Sequence, residues 1–136
     1  MIVKLHITLD GKAEEALNFY AYIFNGKADN VLRYGEVKGN PLANEQTKGW
    51  LMNSRLTFGS NVINLCDRPQ SEKGVEGNLV ALDLMLSSED ETKRVFNALA
   101  EDGTVDEPLT AEFWSPCVGA VTDRFGIHWN VMLLTA

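Results

Sequence analysis

The sequence predicts an α+β protein made of two β-α-β-β-β modules, because two features recur along its 136 residues. An amphipathic helix predicted at 13–25 returns at 89–102, and the glycines that follow the two helices are separated by 103 − 26 = 77 residues. A Phe-Gly turn also occurs twice, at 58–59 and 125–126, with an offset of 126 − 59 = 67. Because a helix and a later hairpin both recur, the sequence indicates an internally duplicated module.

The first module is predicted to cover residues 1–66. Its helix has apolar residues at helical spacing, namely Ala13, Ala16, Leu17, Tyr20 and Phe24. We expect Gly26 to end this helix in a left-handed conformation. The predicted strands are 2–9, 31–37, 50–58 and 61–66, the last two forming a hairpin around the turn at 59–60.

The second module is predicted to cover residues 79–136. Ser88 and Glu91 form a candidate capping box at the start of its helix. The predicted strands are 79–86, a short run near Thr104, 117–122 and 127–134.

The two offsets differ by 77 − 67 = 10 residues, so the first module needs ten extra residues between its helix and its hairpin. The turn-rich segment 39–48 supplies that number. The polar segment 67–78 is the predicted linker between the modules.

The composition favours a small-molecule partner. With 12 Lys and Arg against 19 Asp and Glu, the chain has a net charge of −7 and a pI near 4.7. Nucleic acids and anionic membranes are bound by clustered basic residues, whereas these are scattered and outnumbered. No apolar run approaches the roughly 18 residues of a membrane span. We therefore expect a cytoplasmic protein with no nucleic-acid or membrane partner.

The two cysteines, Cys66 and Cys117, form neither a Cys-x-x-Cys pair nor a metal-type cluster. Each lies in an apolar strand-like stretch. We therefore expect buried free thiols in preference to reactive or disulfide-bonded ones.

Three segments carry a family resemblance: DGKAEEALNFYAYIFNGKA at 10–28, RLTFGSNVINLCD at 55–67 and FNALAEDGTVDEPLTAEFWSPCVGAVTDRFGIHWNVM at 96–132. They resemble the vicinal oxygen chelate superfamily, which includes glyoxalase I, extradiol dioxygenases and bleomycin-resistance proteins, and within it the PhnB-like subfamily. The resemblance implies a glyoxalase-like fold of two cupped mixed sheets, each four-stranded, with a ligand pocket between their concave faces. It also implies a homodimer.

The resemblance implies where a metal would bind in metal-bearing relatives, whose modules supply His or Glu ligands from their first and last strands. The last-strand positions fall on Asn64 and Asn130. The first-strand positions fall on Leu5 or His6 in one module and within residues 81–83 in the other. Amide oxygens are weak neutral ligands, so we expect no resident metal and no glyoxalase I activity.

Each remaining candidate residue has two interpretations. His6 faces either the pocket or the helix layer, depending on a strand register that can slip by one residue. Asp83, between two leucines, is either a ligand anchor or an ion-pair partner, and His128 is either in the pocket or solvated. Trp114 lies in a loop that borders the pocket in the family, where an indole either covers a planar ligand or is simply a loop residue. Trp129, of opposite parity to Asn130, is expected in the core.

Two classes of function remain open. We favour a metal-free protein that binds a small organic ligand in the cup, using His6, Asn64, Asp83, Trp114 and Asn130. The alternative is a lyase, isomerase or dioxygenase in which His6 and Asp83 hold a weakly bound divalent metal. PhnB-like chains sometimes carry a demethylubiquinone methyltransferase label, but the residues here do not justify it, because no two of the eleven glycines form a Gly-x-Gly.

Overall fold

The fold consists of two units, Met1–Val75 and Glu76–Ala136, in a computed structural model that describes residues 1–68 and 75–134. The boundary lies within the predicted linker 67–78, of which residues 69–74 are outside the described residues. Each unit consists of a helix packed on one side of a four-stranded mixed sheet. The predicted α+β class, with two β-α-β-β-β modules, is confirmed.

The first unit contains β1 (Leu5–Leu9), α1 (Ala13–Phe24), β2 (Lys27–Arg33), β3 (Leu51–Phe58) and β4 (Asn61–Asp67). Its strand order is β1-β4-β3-β2. Strand β1 runs parallel to β4, and the other neighbours are antiparallel.

The second unit repeats this arrangement with β5 (Leu82–Leu86), α2 (Glu89–Ala100), β6 (Thr104–Glu112), β7 (Ser115–Thr122) and β8 (His128–Leu133). Its strand order is β5-β8-β7-β6, with β5 parallel to β8. Since the order and directions match those of the first unit, equivalent positions can be compared directly.

The core of each unit lies between its helix and one face of its sheet. Alternate residues of β4 are buried, and so are alternate residues of β7, as expected for strands with one covered face. The first core includes Leu17, Tyr20, Ile23, Leu56, Ile63 and Leu65, and the second includes Val95, Phe96, Leu99, Val121, Trp129 and Val131. The intervening side chains lie on the opposite face, called here the open face of each sheet.

Four predicted strands need correction, and the largest errors fall on edge strands. Strand β2 begins at Lys27, four residues before the predicted start, and a one-turn 3₁₀ helix (Tyr34–Glu36) replaces the end of the predicted run. Strand β6 extends over nine residues where only a short run was expected, and it includes Pro108. An edge strand pairs on one side only, so it tolerates a proline and a polar composition that obscure the sequence pattern. Strands β1 and β5 begin three residues later than predicted.

The predicted left-handed stop at Gly26 is also wrong by one residue. Asn25 and Asp102 have positive φ angles of 52° and 58°, and a glycine follows each. The glycines are needed for close packing, because a Cβ on Gly26 would lie 3.0 Å from the carbonyl oxygen of Thr57. The 77-residue repeat therefore reflects how closely each helix end approaches its sheet.

The two helices begin differently. The hydroxyl of Ser88 accepts from the backbone N–H of Glu91 at 3.1 Å, which is one half of the predicted capping box, whereas the carboxylate of Glu91 accepts from Arg94. Helix α1 has no side-chain cap of its own. Its cap comes from Asp67, a buried residue at the end of β4 that the sequence interpretation assigned to the linker.

Candidate functional site

Two strands at one side of the first sheet bring His6 and Asn64 together on the open face. Strand β1 pairs in parallel with β4 so that His6 is opposite Asn64, and Thr8 is opposite Cys66. The neighbouring residues Ile7 and Leu65 point to the core. Of the two registers left open by the sequence, the structure has the one in which His6, and not Leu5, is on the open face.

His6 also contacts a cysteine that sequence reasoning did not connect with it. Nε2 of His6 lies 3.1 Å from Sγ of Cys66, and the Thr8 hydroxyl lies 3.7 Å from the same sulfur. Cys66 is half-buried, whereas Cys117 is buried, so the expectation of two buried thiols is wrong for Cys66. The reason is strand parity, since Cys66 alternates with the buried Leu65 and Asp67.

The polar row on the first open face continues across β3 to β2. Arg55 is opposite Asn64 on one side and opposite Asp29 on the other. Its guanidinium donates to both carboxylate oxygens of Asp29, at 2.7 and 2.8 Å. This bidentate bond lowers the pKa of Asp29 and raises that of Arg55. The row His6, Asn64, Arg55 and Asp29 therefore crosses the whole sheet.

The second sheet has the same construction at Asp83 and Asn130. These residues are opposite each other in the parallel pair of β5 and β8, and Nδ2 of Asn130 donates to Oδ1 of Asp83 at 2.9 Å. Asp83 is exposed although leucines flank it, because it lies on the open face of an edge strand. On its other side Asn130 is opposite Ala120 of β7, whereas the equivalent neighbour of Asn64 in the first sheet is Arg55.

His128 lies on the same face as Asn130 and is held by two hydrogen-bond contacts. Its Nε2 donates to the carbonyl oxygen of Gly77 at 2.6 Å, and its Nδ1 lies 2.7 Å from the hydroxyl of Thr122. Trp129 alternates with them and is buried, as predicted, with its indole N–H donating to Asp123.

Trp114 lies in the turn between β6 and β7, next to Phe113. Its ring packs edge-on against that of Phe113, with centroids 4.8 Å apart. Trp114 is 49% exposed and Phe113 is 96% exposed. Two large aromatic rings are therefore accessible at this turn.

Sequence reasoning missed the role of Asp67. Its Oδ1 accepts the backbone N–H groups of Gly11 and Ala13 at 2.8 and 3.0 Å, and its Oδ2 accepts that of Leu51 at 3.0 Å. The carboxylate thereby joins β4 to the start of α1 and of β3. The N-cap position of α1 is Lys12, whose side chain cannot accept a hydrogen bond, and this was the available signal for a cap elsewhere in the chain.

Within residues 1–68 and 75–134, no three His, Cys, Asp or Glu side chains form a group that could hold a metal ion. Among the same described residues, neither α1 nor α2 has the length and apolar composition that a membrane-spanning helix requires.

The repeated β-α-β-β-β units define a protein of the glyoxalase fold, the class to which the vicinal oxygen chelate superfamily belongs. A glyoxalase/bleomycin resistance protein/dioxygenase domain from Frankia has this fold, with a TM-score of 0.68 at 13% identity over 99% of this chain and 92% of its own.

Within that class, the chain belongs to the PhnB-like family described as 3-demethylubiquinone-9 3-methyltransferase, whose model matches residues 2–132. It is similar to PA1353 from Pseudomonas aeruginosa (30% identity, TM-score 0.86, covering 100% of this chain and 99% of that one). A PhnB protein from Bacillus cereus is also similar (25% identity, TM-score 0.85, covering 98% and 99%).

Among curated proteins, YjdN from Escherichia coli is 30% identical over 73 residues, which are 54% of this chain. The match spans about half of YjdN, 48% of its length.

Proposed function

We propose that this protein binds a small organic ligand on its open sheet faces, without a resident metal, in the cup that the family resemblance implies. The observation that carries the proposal is the polar row at equivalent positions of the two sheets. His6 and Asn64 in one unit, and Asp83 and Asn130 in the other, lie opposite the packed faces. Polar side chains that the core does not use are available to bind a ligand.

The chemistry of these four side chains favours an organic ligand over a catalytic metal. A zinc, nickel or iron site normally takes several imidazoles, thiolates or carboxylates, whereas this set has one imidazole, one carboxylate and two amides. The amide of Asn130 already donates to Asp83. The amides and the carboxylate offer both donors and acceptors to carbonyl or hydroxyl groups.

The aromatic pair Phe113 and Trp114 suggests that part of the ligand is planar or apolar. Exposed indole and phenyl rings lose contact with water when such a group packs on them. We propose that Trp114 covers the ligand.

The alternative function is a metal-dependent lyase, isomerase or dioxygenase. It is supported by the presence of His6 and Asp83, which are ligand types, at equivalent first-strand positions. Methyl transfer, which the family description names, is not part of the proposal, because the eleven glycines include no Gly-x-Gly loop for a nucleotide-like cofactor.

We also propose a cytoplasmic homodimer that binds neither nucleic acid nor membrane. The net charge of −7 disfavours binding to nucleic acids and to anionic membranes. The edge strands support a partner subunit, because their free backbone groups are commonly covered. Light scattering should then give 2 × 15.1 = 30.2 kDa, and a mass of one chain would contradict the dimer.

A thermal-shift screen of small carbonyl and hydroxyl compounds, run in the presence of EDTA, tests the binding proposal. Hits should raise the Tm of the wild type and should lose roughly fivefold or more in affinity in Asn64→Ala and Asn130→Ala, because a lost hydrogen bond to a bound ligand costs about 1 kcal/mol or more.

The matched control is Asn18→Ala, the same substitution on the exposed side of α1, which should leave the affinity unchanged. Binding should also quench tryptophan fluorescence in the wild type and not in Trp114→Phe. Hits that bind equally well to all the asparagine variants would contradict the proposed location.

A further inference from the structure

We propose that Cys66 is a nucleophilic thiol, activated by His6, that adds to the carbon–carbon double bond of a small α,β-unsaturated carbonyl compound. The imidazole Nε2 lies 3.1 Å from Sγ, within reach of proton transfer between them. This goes beyond ligand binding, and it is measurable without knowing the natural ligand.

The contrast between the two cysteines supports this assignment. Cys117 is on the packed face of β7 and is buried, so it has the character of a core residue. Cys66 is half-buried on the open face of β4, with an imidazole and the hydroxyl of Thr8 around its sulfur. Reactive cysteines are those that are accessible and adjacent to a base.

The reaction balances without any other reagent. The proton of Sγ passes to Nε2 of His6, and the sulfur forms a bond to the β-carbon of the electrophile. The π electrons move to the α-carbon and carbonyl oxygen as an enolate, and the imidazolium returns the proton to the α-carbon. One S–C and one C–H bond form, while one S–H bond and one C=C π bond are lost.

Asn64 is the reason for proposing a carbonyl compound as the substrate class. It lies two residues before Cys66 on the same face and directly opposite His6. Its amide is a hydrogen-bond donor that would stabilise the oxygen of the enolate. The three side chains thus provide a nucleophile, a proton carrier and an oxygen-binding group on one face of the sheet.

Acrylamide, a stable unsaturated amide, is the probe, and peptide mapping by mass spectrometry gives the rate at each cysteine separately. At a pH of about 6.5, Cys66 should react roughly tenfold faster in the wild type than in His6→Gln, because the variant lacks the imidazole that takes the proton of the Cys66 thiol. At a pH of about 9.5, above the ordinary thiol pKa of about 8.5, hydroxide can act as the base, and the rates at Cys66 in the wild type and in His6→Gln should agree within about twofold.

The matched control is His128→Gln, which removes the other histidine and should leave the rate at Cys66 unchanged. Asn64→Leu should slow the reaction at both pH values while leaving its pH dependence unchanged. Cys117 in the native protein should react far more slowly than Cys66.

A rate at Cys66 that is equal in the wild type and in His6→Gln at the lower pH would overturn the proposal, and so would a rate no higher than that of Cys117. If His6→Gln does not fold, the rate at Cys66 in the folded wild type is compared instead with its rate in urea, because unfolding separates Cys66 from His6. Non-covalent binding in the thermal-shift screen does not depend on this result, so either proposal can fail alone.

Discussion

Asn130 donates a hydrogen bond of 2.9 Å to Asp83 across β8 and β5, at the position where the first unit has Asn64 opposite His6. Each sheet therefore combines one neutral amide with one titratable group at the same place. This composition differs from that of a metal site chiefly at the two asparagines. The asparagines are consequently the residues to change first.

Replacing both asparagines with glutamate should create divalent-metal affinity. Asn64→Glu together with Asn130→Glu adds two anionic oxygens next to His6 and Asp83, which offsets the cost of dehydrating a cation. Calorimetry with Zn²⁺ or Ni²⁺ should show weak binding to the wild type and binding at least roughly tenfold tighter in the double variant.

The control for this experiment is Asn64→Gln with Asn130→Gln, which lengthens the side chains and keeps them neutral. It should bind metal as weakly as the wild type. Equal affinities in the glutamate and glutamine variants would show that charge at these positions does not limit metal binding.

Asp67→Asn should destabilise the first unit. The new amide has only one acceptor oxygen, so the N–H groups of Gly11 and Ala13 or that of Leu51 would face a donor instead. Leaving a buried N–H without an acceptor costs about 1–3 kcal/mol, which urea denaturation resolves. Asp10→Asn, an exposed neighbour of the same helix start, should change the free energy of unfolding by less than about 0.5 kcal/mol. Equal effects of the two substitutions would contradict the capping role.

The Asp29–Arg55 pair predicts a defined pH dependence. Because the bond to Arg55 lowers the pKa of Asp29 in the folded protein, the pair stabilises at pH values above the unfolded pKa of about 3.9. That contribution is lost as the pH falls through the lowered folded pKa. In an NMR titration, Arg55→Met should return the Asp29 pKa to its ordinary range, while Glu91, which pairs with Arg94, should keep its lowered value. An Asp29 titration that is unchanged in Arg55→Met would exclude the pair as its cause.

Internal repetition was enough to predict the duplicated fold from the sequence, because the glycines after the helices and the Phe-Gly turns record the same geometry twice. The register of β1 was not predictable, since a slip of one residue exchanges Leu5 and His6 between the faces. The contact of His6 with Cys66 depends on that register and joins residues 60 positions apart. Asp67 was misassigned because its partners are backbone N–H groups, which leave no trace in side-chain patterns.

The proposal that these open faces bind a small organic ligand without a resident metal is tested by elemental analysis, by mass spectrometry, of protein purified without chelators, before and after dialysis against EDTA. We predict much less than one divalent ion per chain before dialysis, and ligand-induced thermal shifts that dialysis does not change. One chelator-resistant metal ion per chain would contradict the claim and would support the metal-dependent enzyme with His6 and Asp83 as ligands.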